Sequence, residues 1–393
     1  MEGPRENASS TDEAWLSSDA YVASMKAPSD PIAAATHPDP YPYYASLVSE
    51  KPFSRDESLG SWVAASAEAV TEVLRSPALH VRPRGERVPR ALAGTEAGDV
   101  FGRLVRMNDG EAHTALRREA ESVLRALDAV SVAAAARERA ATLAAELEPF
   151  DDPRRVTELA FRLPVEVLAL LLGAPSESLR EVSAAISDLA PAFSPGGSSA
   201  HRPAADAAVR FLAPLLSGAR GGCASAIGFL FQSFDATAGL IGATLVALGR
   251  HGDVRKRVEE EPSLLRCAVL ETLRHDPPVQ NTRRFVAEPC RVSACDLEPG
   301  ETVLVLLAAA NRDPRANPRP ELFELERRDR VSFTFGLGAH ACPGEAIAAT
   351  IAEAAVATLL AGGLDPVALS NDFSYRASMN VRIPIFRRRP GAS

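Results

Sequence analysis

The stretch Phe335-Gly336-Leu337-Gly338-Ala339-His340-Ala341-Cys342-Pro343-Gly344-Glu345, followed by an alanine-rich apolar run, decides how the rest of this chain is read. Its glycines let the backbone take positive φ and come close to a flat ligand. The apolar run predicts a helix starting directly after the cysteine, with its first amides pointing back at the sulfur and favouring a thiolate. No second cysteine or histidine stands at metal-ligand spacing, so such a thiolate suits one axial position of a haem iron. Taken alone, Cys342 favours the plainer reading of a free thiol in a glycine-rich turn.

The pattern Phe-Gly-x-Gly-x-His-x-Cys-x-Gly resembles the haem-binding signature of the cytochrome P450 family and matches it at every specified position. The resemblance implies a mainly α fold with small β-sheets and a long central helix over the haem. It makes Cys342 the metal ligand of heme b (iron protoporphyrin IX). Phe335, Gly336 and Gly344 then belong to the cofactor-binding loop, and His340 to a propionate.

The chain-wide properties agree. The 393 residues are 46% hydrophobic and 24% charged, and alanine and leucine dominate, which favours helix. The net charge of −8 gives no global electrostatic case for nucleic-acid binding. Five cysteines, at 223, 267, 290, 295 and 342, are odd in number and scattered, so they do not read as a disulfide framework but as a reducing, cytoplasmic setting. Cys290 and Cys295 fall on an expected β-hairpin. Residues 1–30 are polar, with neither a signal-peptide core nor a membrane anchor, and are expected to be disordered. The longest apolar stretches are interrupted by Gln232, Asp235 or Arg250, so no span of ~20 apolar residues is expected. Residues 31–393 are expected to form one catalytic domain.

Along the chain, Pro38–Pro42 leads into a short helix, Ser61–Ala65 reads as a strand and Ala67–Arg75 as a helix. Residues 77–100 lack periodicity and read as a long loop, which the resemblance places over the distal haem face. Asn108 or Asp109 is a candidate cap for a helix carrying His113 and Arg117, which share one face at i and i+4. That face is either merely exposed and polar or, by the resemblance, a pair of propionate donors. The segments Ala129–Leu147, Val156–Leu172, Ser176–Leu189 and Ala204–Leu216 read as helices. The last pair, with its Ser/Gly/Pro link at 194–199, corresponds to the family's substrate-channel lid. The short join Gly218–Gly222 leaves no room for the further small helix that relatives often carry there.

Ala224–Arg250 reads as one helix on the order of 40 Å long, with Asp235 in its apolar middle. An acid there needs a partner. It is either salt-bridged to a neighbouring helix or, by the resemblance, part of a proton relay. The family's Ala-Gly-x-Asp/Glu-Thr-Thr appears here as Gln232-Ser233-Phe234-Asp235-Ala236-Thr237. The acid and the second Thr match. The first Thr has become Ala236, and Thr237 does not replace it, because one helical residue turns a side chain by about 100°. Gln232, Ser233, Asp235 and Thr237 are therefore the candidate proton-handling residues, and the departure points to atypical oxygen activation.

Glu271 and Arg274, at i and i+3, are by themselves a surface-type pair. Asp276-Pro277-Pro278 and Arg284 follow in an order similar to the family's, so the resemblance implies a buried Glu271–Arg274–Arg327 network and Arg284 on a propionate. Pro299-Gly300 is expected to turn a hairpin between Arg291–Ala294 and Thr302–Leu307, Ile347–Leu360 to be a helix, Phe373–Tyr375 a turn and Val381–Phe386 a strand.

These readings describe a haem-thiolate oxidoreductase, a monooxygenase that hydroxylates or epoxidises a specialised-metabolite intermediate, as in antibiotic biosynthesis. Its substrate is a small molecule, free or carrier-bound. Its electrons come from a ferredoxin or flavodoxin and an NAD(P)H reductase. Two alternatives stay open: oxidative coupling or a peroxide-driven reaction without oxygen insertion, and a non-catalytic haem-binding partner protein.

Overall fold

The computed structural model describes residues 26–387. Most of the N-terminal segment expected to be disordered lies outside that range. The helices begin where the sequence supplies caps. Tyr41–Glu50 (α1) starts behind Pro40. In Ala67–Arg75 (α2) the Ser66 hydroxyl accepts from the Ala69 N–H. Gly110–Ala126 (α4), Ala129–Leu147 (α5) and Pro153–Leu171 (α6) follow, the last two capped by Asp128 and Asp152. Leu179–Phe193 (α7) and Arg202–Leu215 (α8) form the lid pair.

The 29-residue helix Gly222–Arg250 (α9) runs through the core, packed on α6. Its other neighbours include Leu265–His275 (α11), Glu345–Ala361 (α13) and the short helix Pro366–Ser370 (α14). Gly252–Glu260 (α10) and Leu307–Asn311 (α12) complete this part. Contrary to the sequence reading, α9 is long and apolar enough to cross a membrane. In fact 72% of its most apolar window is buried within the protein. Asp235 does not lower that window's hydropathy enough to matter, and burial rather than lipid accounts for the apolar side chains.

Beside the helices lies a five-stranded sheet. Phe53–Asp56 (β1), Ser61–Ala64 (β2), Leu79–His80 (β3), Thr282–Val286 (β4) and Thr302–Val305 (β7) assemble in the order β1-β2-β7-β4-β3. Only β2 and β7 run parallel, with Trp62 opposite Val303. Two small hairpins stand apart: Cys290–Val292 (β5) with Cys295–Leu297 (β6), and Phe373–Tyr375 (β8) with Pro384–Phe386 (β9).

Three local expectations are corrected. Residues 77–100 are not one loop. They hold β3, a 3₁₀ turn at Arg90–Leu92 and the start of a helix, Glu96–Gly102 (α3), whose cap is the Thr95 hydroxyl accepting from Gly98 N–H. Pro299-Gly300 does not close a hairpin between β5 and β7. β5 pairs with β6 through Ser293 and Ala294, both at positive φ (46° and 68°), while β7 pairs with β4. Neither residue is a glycine, so the turn carries no sequence signal. Phe373–Tyr375 is a strand, because its backbone pairs with β9 rather than turning.

Candidate active site

The cysteine loop is held by its own backbone. The Cys342 N–H donates to the Phe335 carbonyl (2.7 Å) and the Gly336 N–H to Phe333 (2.8 Å). Gly338, at φ +69°, lies against α2, where a Cβ would come within 2.9 Å of the Leu74 carbonyl oxygen, so only glycine fits. The Gly344 N–H, at the start of α13, points at Cys342 Sγ (3.4 Å). Its effect falls short of the sequence expectation of a favoured thiolate. Burial pushes the Cys342 thiol above its usual pKa, outweighing the Gly344 N–H and the charges of Arg106 and Arg117.

Four groups converge beside this loop. His113 on α4 and His340 stand with ring centroids 4.2 Å apart. His113 Nε2 and His340 Nδ1 are both buried with no hydrogen-bond partner among the described residues. Asp109, by position the cap of α4, makes no capping bond. Its carboxylate accepts from the Val81 N–H (3.1 Å) and holds His340 Nε2 at 3.1 Å, which aims Nδ1 inward. An N–H at Nδ1 as well requires the doubly protonated ring. Arg284 on β4 is buried and forms no ion pair among the described residues. Its side-chain bond goes to the Arg283 carbonyl, and burial lowers its pKa to about 10. Arg117 is already engaged: Nε donates to Glu121 (2.6 Å) and Nη1 to the Ala341 carbonyl. It ties α4 to the cysteine loop.

The family profile described as Cytochrome P450 matches residues 223–361, which include the cysteine loop. The vitamin D(3) 25-hydroxylase of Pseudonocardia autotrophica is 34% identical over 266 residues, 60% of this chain and 64% of the relative. Among solved structures, P450 RauA, complexed with a biosynthetic intermediate of aurachin RE, is similar at TM-score 0.75 and 26% identity. That match covers 91% of this chain and 97% of RauA. P450BioI, solved with an acyl carrier protein bearing hexadec-9Z-enoic acid, superposes at TM-score 0.77 and 23% identity over 88% and 96%, a likeness of fold. The chain belongs to the cytochrome P450 family.

The family's cofactor is haem, and the residues present fit it. Two orphaned buried ring nitrogens, a buried guanidinium without a carboxylate and a sulfur on a glycine cradle are the donor set that a dianionic iron porphyrin needs. In this P450 the central helix shows which of its residues face open space. Ser225, Phe229, Gln232 and Ala236, spaced by about one turn, keep partial exposure, as do Ser233 and Asp235. Thr237 is buried, on a different face from Ala236. Gln232 Nε2 donates back to the Gly228 carbonyl and Ser233 Oγ to the Leu230 carbonyl, each at 2.9 Å.

The Asp235 carboxylate is held by Arg376 at 2.5 Å, while its second oxygen is buried without a partner among the described residues. Arg376 comes from the β8–β9 connection, not from a neighbouring helix, so this ion pair could not be located by sequence. Arg376 also lies 5.3 Å from the centre of the Phe161 ring.

The Glu271 network is larger than expected. Glu271 Oε1 accepts from Arg274 (2.7 and 3.0 Å), Arg327 (3.0 Å) and the Glu324 N–H (3.1 Å). Oε2 takes Arg330 at 2.8 Å. Arg330 was missed because nothing in its local sequence separates it from a surface arginine.

Proposed function

We propose that this P450 is a monooxygenase that hydroxylates or epoxidises an intermediate of specialised metabolism, with residues 31–393 as its catalytic unit. The observation that carries the reading is the convergence of Cys342 with His113 and His340, whose Nε2 and Nδ1 are buried without a partner among the described residues, and with the buried Arg284, which pairs with no carboxylate among them. The hydroxylase name of the Pseudonocardia relative and the biosynthetic intermediate in the RauA complex support the reaction class and the substrate class.

Bound at Cys342, haem supplies the activation of dioxygen by two electrons and two protons. The chain's residues do the rest. Cys342 would hold the iron through its sulfur, and His113, His340 and Arg284 would hold the propionates, while Arg117 fixes the loop through Ala341. Asp235 holds a proton-accepting carboxylate beside the cavity, restrained by Arg376, and Gln232 and Ser233 offer the nearest side-chain hydrogen bonds along the helix face. Electrons arrive from a ferredoxin or flavodoxin and its NAD(P)H reductase. A groove of about 300 Å³ beside the cysteine loop, lined by Glu121, Leu124, Arg125, Leu127, Pro343 and Ile347, offers a mainly apolar footing for such a partner.

The placement of Ala236 favours a second reading, oxidative coupling or ring closure without oxygen insertion, because position 236 itself, on the partly exposed face of α9, offers no hydroxyl. Two measurements test the proposal. The reduced carbon-monoxide complex shows the red-shifted absorption of thiolate ligation, and Cys342→Ser abolishes it. A retained spectrum in Cys342→Ser refutes the ligand assignment. Product mass then separates the readings: insertion adds one oxygen atom, and coupling removes hydrogens.

A further inference from the structure

The chain carries a net charge of −8, yet one part of its surface has the opposite sign. Residues 82–106 hold six arginines against three acids, and α8, packed on α3, adds Arg202 and Arg210 against Asp206. The fold gathers four of these arginines along one edge of the lid. Arg202 reaches from α8 to the carbonyls of Arg90 (3.0 Å) and Ala91. Asn108 ties Arg87 to the residue before Arg103: its Oδ1 accepts from Arg87 (3.3 Å) and its Nδ2 donates to the Gly102 carbonyl (3.0 Å). Gly102 also lies against Val88, where a Cβ would come within 3.2 Å of Cγ2. Arg87, Arg90 and Arg103 are exposed, and Arg202 is half-buried.

Most acids that could neutralise this edge are already engaged. Glu86 is held by Arg82 (2.7 Å) and Glu96 by Arg210 (2.8 Å), while Asp206 accepts from the Ala97 N–H (2.9 Å). Of the four acids in these two segments, that leaves Asp99. Arg87, Arg90, Arg103 and Arg202 pair with no carboxylate among the described residues. Uncompensated charges of one sign attract an anionic surface over about one Debye length, ~8–10 Å. Guanidinium forks match carboxylates and phosphodiesters. The position of the patch selects the partner. It borders the lid helix α8 and the segment on which that helix rests, and it shares no residue with the groove beside the cysteine loop. An acidic protein that carries the substrate on a flexible arm suits both the charge and the place. A nucleic-acid duplex suits the charge alone and is repelled by a molecule of its own overall sign.

We propose that Arg87, Arg90, Arg103 and Arg202 form the docking surface for an acidic carrier protein, which presents the substrate at the lid as a thioester on its phosphopantetheine arm. The inference rests on the monooxygenase reading above and selects the carrier-bound form of its substrate.

The test titrates the haem-loaded protein into a fluorescently labelled, phosphopantetheinylated acyl carrier protein of fatty-acid synthesis and follows anisotropy. A labelled DNA duplex is the competing polyanion, and sedimentation of the protein alone reports self-association. Wild type binds the carrier more tightly than the duplex, and added salt weakens the complex. The triple variant Arg87→Glu, Arg90→Glu, Arg103→Glu, with an unchanged carbon-monoxide spectrum, binds the carrier about 10- to 100-fold more weakly. The corresponding triple Gln variant loses less, because it removes charge without adding repulsion. Arg125→Glu, in the groove beside the cysteine loop, leaves carrier affinity unchanged. The proposal is overturned if wild type does not bind the carrier, if the triple variants bind it as well as wild type does, or if the duplex binds more tightly. Self-association that the triple variants abolish would also overturn it, by assigning the patch to a second copy of this chain. A wild type without the thiolate-type carbon-monoxide spectrum would instead overturn the parent reading.

Discussion

Glu271→Ala should cost this protein its haem and its stability together. The carboxylate is fully buried and accepts five hydrogen bonds, from Arg274, Arg327, Arg330 and the Glu324 N–H. Burial pushes its pKa up, but Arg274, then Arg327 and the Glu324 N–H, outweigh burial and hold it below the usual carboxylate range. Removing the acid takes the shared carboxylate from three guanidinium groups, of which Arg274 is fully buried and Arg327 keeps only Glu324 (3.1 Å) as an acid partner among the described residues. Adding the five bonds singly would overcount, because the same desolvation is offset by all of them. The measure for one broken buried pair, ~3–5 kcal/mol, is the better guide. Against a typical stability of ~5–15 kcal/mol that is a third or more of the total. The arginines bond the carbonyls of Pro318, Arg319, Pro320, Leu322 and Leu325, in the segment leading to the cysteine loop. Loss of the network therefore loosens the haem site. Urea unfolding and haem content, measured together on Glu271→Ala and Glu271→Gln, check this, with Gln, which keeps shape and one acceptor, losing less. Because the folded pKa is depressed, the advantage of wild type over Glu271→Gln is full above the unfolded value of about 4.5. It is lost as pH falls through the folded value. A Glu271→Ala protein within ~1 kcal/mol of wild type, haem-loaded but unable to turn over, would show that the acid acts in the chemistry instead.

Two further outcomes follow from buried or displaced polar groups. Burial, then the charge of Arg312, pushes the His275 pKa well below 6.5, and burial also lowers His251, which stacks on Phe323 while His275 meets that ring edge-on. The unfolded chain takes up these protons first, so stability is full above pH 6.5 and falls below it by up to about 1.4 kcal/mol per pH unit per histidine. The urea midpoint of His275→Gln should show a shallower slope between pH 6.5 and 5, and an unchanged slope would rule the assignment out. On α9, Ala236→Thr should not raise product formed per NAD(P)H, whereas Gln232→Ala should lose more electrons as hydrogen peroxide. Removing one ordered donor at ~1.5–3 kcal/mol shifts that partition by roughly ten- to a hundredfold. Better coupling in Ala236→Thr with no change in Gln232→Ala would mean that this helix is a degraded version of the family pattern.

Much of the site could be read from the chain because its parts are close in sequence. The Phe335–Glu345 loop is one continuous piece of backbone, so its glycines, its cysteine and the helix after it occur together. His113 and Arg117 share a helix face by spacing alone, although the structure then engages them differently: His113 is left unpaired and Arg117 is spent on Glu121 and Ala341. Glu271 and Arg274 likewise pair within one turn. The caps at Ser66, Asp128 and Asp152 act over two or three residues, which is why α2, α5 and α6 begin within a few residues of where the sequence puts them.

Periodicity, capping residues and the cysteine signature by themselves determined the helical scaffold, the long central helix and the place of the cysteine loop, because each is a short-range property of backbone and side chain. Tertiary structure alone decided which charges meet. Arg376 reaches Asp235 across 141 residues, Arg330 reaches Glu271 across 59, and Asp109 turns His340 across 231. Which arginine is buried beside which acid depends on the path of the chain through space and on the desolvation that close packing imposes. No local pattern records either.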